Sequence, residues 1–270
     1  MRAAERRRRS ADPWDSHHAT RVLDTVSREV WGNQSAGQLG SVTPAYLGEL
    51  ADRLGLGPGH RVIDLGCGGG GLTVALAEAA GCEVVGVDSS MEAVAAARRR
   101  ALASAARSRC RFAVGDMSSP PIEAGTVDAI VSFGSAYWST PSATVPRWSA
   151  LLREGPAAVV IVVTRILAPQ GDLDRRLTLQ RGLFAPHPDW EGALGATGFS
   201  TAVRDLSDHH ADYVLRNYEA LLRHRAELEA ELGADGAAAY LAEDERLVSY
   251  VREGKLRRVE VVAHRSEGAT

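Results

Sequence analysis

Val62 to Gly71 reads Val-Ile-Asp-Leu-Gly-Cys-Gly-Gly-Gly-Gly, and it constrains the chain more than any other stretch. An apolar run carrying one acid leads into a glycine-rich turn, and helical spacing takes over from Leu72. Glycine lacks a β-carbon, so the backbone at Gly66 and Gly68 can turn sharply and approach a ligand closely. Strand, glycine turn and helix in that order open a parallel α/β sheet, whose ligands bind beyond the carboxyl ends of the strands. A second strand, Glu83-Val84-Val85-Gly86-Val87, ends on Asp88, followed by Ser89. A third, Arg111 to Val114, ends on Gly115-Asp116-Met117. Three strand ends, each finished by an acid or a glycine turn, outline one pocket for a nucleoside-bearing cofactor.

The rest of the chain continues the alternation. Asp15 to Val30 has Val22, Val26 and Val30 at four-residue spacing and reads as an amphipathic helix. Thr43-Pro44 opens the next helix, with Thr43 as cap and Pro44 at the first helical position. Ser89-x-x-Glu92 reads as a capping box opening a helix over Met91 to Ala101. Val127 to Ser132 is strand four, Thr144 to Leu152 a helix, and Ala157 to Thr164 strand five, an unbroken apolar run suited to burial on both faces. Phe199 to Leu206 and Lys255 to His264 supply two more strands. Between them a helical stripe runs from Ala211 towards Glu231, and a second helix covers Ala237 to Arg252. The expected fold is α/β: a doubly wound, mainly parallel seven-stranded sheet with an N-terminal helical lid and a helical cap inserted before the last strand. In numbers, 1–40 is tail and lid, 41–270 the main domain, and 207–255 the cap.

Composition narrows the function. With 45% hydrophobic and 24% charged residues in 270, the chain can bury a full globular core. A net charge of -3 argues against a general nucleic-acid binder. Lys255 is the only lysine, which leaves lysine-based mechanisms one poor candidate. Cys67, Cys82 and Cys110 are odd in number and form no C-x-x-C pair, as in a reduced, cytoplasmic chain without disulfides. Arg6 to Arg9 precede no apolar run, so neither a secretory signal nor a membrane span of roughly twenty apolar residues is expected. No spacing of His, Cys, Asp or Glu suggests a metal site. A small-molecule partner and a monomer or homodimer are expected.

A glycine turn with an acid ending strand two suits dinucleotides as well as other nucleoside cofactors. Two details separate the cases. Asp64 precedes the turn, giving Asp-x-Gly-x-Gly, and an acid there is awkward beside a pyrophosphate but useful near a cationic ammonium or sulfonium. Asp116 can accept an adenine amino group while Met117 packs on the ring. On these residues Val62–Ala80, Val84–Ala97 and Phe112–Ser132 resemble the leading motifs of the Rossmann-like (class I) methyltransferases that use S-adenosylmethionine (SAM). Pro120-Pro121-Ile122, the run Gly125 to Ser132, and Leu151 to Gly155 extend the resemblance, while Val127 in place of a common Phe and Pro156 in place of a second glycine depart from it. The resemblance implies that Gly66 and Gly68 contact the methionine part of SAM, with Asp64 and Cys67 in the same cofactor-binding turn, where Cys67 is either a small residue that fits or a redox group. It assigns Asp88 and Ser89 to the ribose, Gly115, Asp116 and Met117 to the adenine, and Ser132 and Phe133 to the floor near the sulfur.

The acceptor is less constrained. The place of the Asn/Asp-Pro-Pro-Tyr turn used in amide and exocyclic-amine methylation reads Ser132-Phe133-Gly134-Ser135-Ala136-Tyr137-Trp138. The arrangement resembles small-molecule methyltransferases of bacterial secondary metabolism, implying O- or C-methylation of a natural-product intermediate, with N-methylation open. Tyr137 and Trp138 follow strand four and either wall the acceptor or pack beneath the lid. Tyr137 can also orient an acceptor hydroxyl. Trp31 is placed to close over the pocket. Candidate bases are His209-His210 at the start of the cap and His17-His18 in the lid; His187 reads as a loop residue. Arg165 after strand five holds either an acceptor carboxylate or phosphate, or a surface ion pair.

Overall fold

Apolar strands that alternate their side chains between two faces need helices on both sides, and the chain supplies them. In the computed structural model, which describes residues 21–167 and 189–265, α1 (Arg21–Trp31) and α2 (Pro44–Leu54) precede β1 (Arg61–Leu65). Then come α3 (Gly71–Ala80), β2 (Glu83–Asp88), α4 (Met91–Leu102), β3 (Cys110–Val114), β4 (Ala129–Phe133), α5 (Pro141–Leu151) and β5 (Ala157–Ile166). The last third holds α6 (Trp190–Gly195), β6 (Ser200–Asp205), α7 (Ser207–Arg223), α8 (Arg225–Arg252) and β7 (Leu256–Arg265). His17, His18 and His187 lie outside the described residues.

The seven strands form one sheet in the order β3-β2-β1-β4-β5-β7-β6. β1 to β5 pair in parallel, and β7 runs antiparallel to both β5 and β6. The order reverses between β1 and β4, which makes the carboxyl rim there the switch point at which ligands enter such sheets. Because β7 is reversed, its amino end reaches that same rim: Arg258 sits opposite Thr164 near the end of β5.

Strand alternation divides the interior. Val62, Val84 and Val160 face α2, α3 and α4, while Ile63, Val85 and Val159 face α5 and α6, where Trp148 and Trp190 stack with centroids 5.4 Å apart. A third cluster is not part of the sheet. Val22, Val26 and Val30 of α1 pack on Val214 and Leu221 of α7 and on Leu228 and Leu241 of α8. α1 thus joins α7 and α8 in one helical roof.

Several boundaries differ from the sequence reading, each for a local reason. α4 is capped by Ser90, whose hydroxyl accepts from Ala93 N at 3.2 Å, rather than by Ser89. The Asp88 carboxylate takes the Ser90 N–H at 2.9 Å, and the helix starts at Met91 as expected. α5 begins at Pro141, a residue suited to the first helical position, three residues before the expected Thr144. β4 starts at Ala129, because Val127 bridges only to Leu152. The cap breaks at His224, and α8 kinks at Gly233 (φ 75°, ψ 163°), within the expected gap.

Candidate active site

The glycine turn is held as much by what its residues lack as by what they bond. Gly66 has φ 74°, and a β-carbon there would stand 2.3 Å from Ser135 Oγ. One on Gly71 would stand 2.0 Å from the Ala36 carbonyl oxygen. Gly66 N and Cys67 N both donate to Val87 O, at 2.8 and 3.1 Å, which locks the ends of β1 and β2 together. Asp88 is half-buried, and each of its oxygens accepts one backbone bond, Oδ2 from Gly68 N at 2.8 Å and Oδ1 from Ser90 N at 2.9 Å. A carboxylate offers about four acceptor sites, so two remain for a pair of neighbouring hydroxyls. Ser89 is exposed beside it.

Asp64 has the opposite setting. It is 2% exposed, and its Oδ2 accepts from Thr73 Oγ1 at 2.6 Å, pinning the strand to the first turn of α3. Burial pushes its carboxyl up to about 7; the Thr73 hydrogen bond opposes the rise and the Asp88 charge adds to it. Cys67 is free and half-buried, and desolvation, with the Asp64 and Asp88 charges, raises its thiol well above the usual value. Cys82 and Cys110 are free and buried.

At the end of β3, exposed Asp116 accepts from Ser118 N and Oγ at 2.8 and 2.7 Å. Gly115 leaves room for Pro121, whose Cδ would stand 2.4 Å from an added β-carbon. Met117 is buried, with its carbonyl accepting from Trp148 Nε1 at 2.8 Å and its Cε 3.9 Å from the missing β-carbon of Gly66. At the end of β4, the Ser132 and Ser135 hydroxyls reach Leu65 O at 3.1 and 2.8 Å and each other at 2.9 Å. Phe133 meets Tyr46 edge-on. These residues surround the rim around Gly66.

The roof closes over the same rim. Arg100 of α4 clasps it: Nε donates to Gly69 O at 3.1 Å and Nη1 to Ala36 O at 2.9 Å. Trp31 stacks on Tyr213 at 5.6 Å, contacts His209, lies under Arg216 and donates Nε1 to Gly40 O at 3.3 Å, so it joins α1 to α7. His209 Nε2 lies 2.9 Å from Ser41 O, and His210 Nδ1 3.0 Å from Ser41 Oγ. Both therefore fasten the loop before α2. His210 is buried, and burial, with the Arg258 and His209 charges, holds its basicity well below the usual 6.5, a poor setting for a general base. Tyr137 lies half-buried in a short 3-10 turn, Ala136–Trp138, and Trp138 is 46% exposed. Arg165 takes the bland option, its Nη2 donating to both Glu191 oxygens at 2.8 and 3.0 Å.

The clasp by Arg100 and the close approaches at Gly71 and Ser135 depend on partners remote in sequence, which no local pattern signals. The sequence reading passed over Arg258, which enters the rim from β7. Among the described residues no three His, Cys, Asp or Glu side chains form a group able to hold a metal, and no helix is long and apolar enough to cross a membrane. A surface cleft lined by Arg53, Leu54, Val203 and His264 lies at the β6–β7 edge, away from this rim.

Comparison with known proteins gives the constellation a family. Residues 62–155 match the model of the methyltransferase domain family. The chain is 34% identical over 165 residues to trans-aconitate 2-methyltransferase of Rhodococcus jostii, 60% of this chain and 59% of that one. It is 34% identical over 122 residues to 24-methylenesterol C-methyltransferase 2 of Oryza sativa, 45% of this chain and 30% of that one. The match thus spans under two thirds of each relative. A putative sarcosine dimethylglycine methyltransferase from Galdieria sulphuraria shares the fold, with a TM-score of 0.75, 14% identity, and coverage of 94% of this chain and 99% of that one. Residues 62–155, which carry the glycine turn and the strand-end acids, thus match the methyltransferase domain family, and the chain shares the fold of a Rossmann-like (class I) methyltransferase.

Proposed function

We propose that the chain transfers a methyl group from SAM to a small-molecule acceptor, with O- or C-methylation favoured. One observation carries the cofactor: Asp88 stands at the switch point with two acceptor sites unused, beside a glycine turn that β-carbons would obstruct. A ribose diol fits that carboxylate, and the backbone at Gly66 to Gly68 lets the methionine part approach. Asp116 and Met117 suit the adenine. Bound SAM supplies an electrophilic methyl group whose sulfur departs as a neutral thioether.

In-line displacement then asks the protein chiefly for alignment and exclusion of water. Ser132 and Ser135 anchor the β4 end to Leu65 and so set where Tyr137 stands over the rim. Tyr137 orients the acceptor, with Phe133 and the roof as apolar walls. His209 and His210 hold the roof's inner loop, which assigns them positioning rather than proton transfer. The relatives' named acceptors, trans-aconitate and a sterol, are small molecules, which supports that acceptor class.

Calorimetric titration of the purified chain with SAM, S-adenosylhomocysteine and NADH tests the reading. Heat from the first two and none from NADH is expected. Binding of NADH without either sulfur compound overturns it in favour of an oxidoreductase. Tyr137→Phe, assayed with the methylated acceptor, separates a hydroxyl that orients the acceptor from a mere wall, since only the former loses turnover.

A further inference from the structure

The amino end of β7 carries a cation for which the chemistry above has no use. Arg258 is 5% exposed. Its Nη1 donates to Thr164 Oγ1 at 2.8 Å, and its buried Nε has no partner. Among the described residues no carboxylate pairs with it. Glu260, two residues along the same strand, is taken instead by Arg53, Arg204 and Tyr46. Burial lowers the guanidinium to about 10, so it remains charged at neutral pH. Buried charges are ordinarily paired, because an isolated one loses its hydration without recompense.

The position of this charge identifies its counterpart. Thr164 and Arg258 are register partners at the end of β5, where the carboxyl rim lies. A β-carbon on Gly134, the residue directly after β4, would stand 3.0 Å from Arg258 Nη2, so only a glycine there lets the guanidinium lie against the β4 end. Tyr137, Tyr46 and Tyr213 are near enough to act on its charge, and its charge in turn acts on His210. Tyr46 donates to Glu260 at 2.6 Å; Tyr137 lies in the turn after β4, and Tyr213 on α7 stacks on Trp31 and His210. Ser135, next to Gly134, is tied to Leu65 at the root of the glycine turn. The cation and the cofactor pocket therefore share the β4 end as a common wall.

We propose that Arg258 is the anchor for an oxyanion of the methyl acceptor, a carboxylate or a phosphate, seated between Gly134, Thr164 and the phenols of Tyr137 and Tyr213. This rests on the methyltransferase reading and adds the class of acceptor to it. A guanidinium fork matches either oxyanion through two parallel hydrogen bonds. Fixing the charged end of the acceptor at β7 leaves its other end to reach over the β4 rim towards the glycine turn. Arg165, the arginine that the sequence suggested for this task, sits opposite Arg257 in the register and is occupied by Glu191.

The test is calorimetric titration of the chain saturated with S-adenosylhomocysteine, using benzoate, phenyl phosphate and the neutral isostere benzamide. At least one anion binds about tenfold more tightly than benzamide if Arg258 anchors it, and the preferred anion separates carboxylate from phosphate. Arg258→Gln then lowers that affinity about 10- to 100-fold, as expected for a buried charge-assisted contact, with S-adenosylhomocysteine affinity unchanged. Without ligand the same variant melts no lower than wild type, because it removes an uncompensated charge; a purely structural Arg258 would give a lower melting temperature and unchanged anion affinity. Equal binding of anions and benzamide, or full anion affinity in Arg258→Gln, overturns the proposal. Should that variant not fold, Arg258→Lys decides: several-fold weaker anion binding supports the anchor, and unchanged binding overturns it. Failure of wild type to bind S-adenosylhomocysteine defeats the methyltransferase reading instead, and the anion titrations on the protein alone still report on Arg258.

Discussion

Asp64 and Asp88 end neighbouring strands and live in opposite surroundings. Asp88 has backbone donors on both oxygens at the half-exposed rim, so Asp88→Ala should weaken SAM binding by about 1–3 kcal/mol, measured by calorimetry. Unchanged affinity in a folded variant would remove its ribose role. Asp64 is fully enclosed, with its folded-state carboxyl raised to about 7. An unfolded chain releases that proton near about 4, so between these values the folded state holds the extra proton. The stability contributed by this group therefore falls as pH rises from about 4 to about 7. Asp64→Asn keeps an acceptor for Thr73 without the charge. Its melting temperature relative to wild type should climb across that interval, and a pH-independent difference would show that Asp64 does not titrate there. Both acids were legible in the sequence because each closes an apolar run before a turn. Arg258 was not, since its meaning comes from Thr164, Gly134 and Tyr137, all remote along the chain.

At the level of elements, two contacts tie the sheet to what surrounds it. Glu260 on β7 is 0% exposed and accepts from Arg53 on α2 at 2.6 and 2.8 Å and from Tyr46 at 2.6 Å. Burial pushes its carboxyl up, but these hydrogen bonds and the two arginines outweigh that and hold it below the usual value. Its contribution is thus present above the ordinary carboxylate range and lost as pH falls below it. Glu260→Gln should cost about 1–3 kcal/mol at neutral pH by urea titration, with the deficit shrinking in acid. A deficit independent of pH would show that charge is not what Glu260 supplies. Arg100 is the second tie, and Arg100→Ala should speed amide exchange in the segment around Ala36 and Gly37 while sparing β1. Unaltered exchange there would mean that the clasp does not hold the segment. Strands one to five and their helices were readable from periodicity and glycine punctuation. The break at His224 was not; there Glu29 of α1 engages both Arg223 and His224, a contact between residues far apart along the chain that no local pattern shows.

For the whole molecule, the division into three cores has a consequence for function. Two cores belong to the sheet and carry the glycine turn, Asp88 and Asp116. The third joins α1 to α7 and α8, and it positions Trp31, His209, His210 and Tyr213 over the rim. The strand ends that carry the glycine turn and the acids were legible because they follow one another along the chain. The roof was legible only as separate helices, since periodicity shows that a face is apolar but not which face it meets. A roof with its own core can open without the sheet unfolding. Leu221 is fully buried within it, and Leu221→Ala should cost about 2–5 kcal/mol of local stability. Hydrogen exchange should then show α1, α7 and α8 losing protection while β1, β2 and β4 keep theirs, and SAM binding should persist with the acceptor site impaired. Equal loss of protection in the central strands would show instead that roof and sheet unfold as one unit, and acceptor entry would then need a route other than opening of the roof.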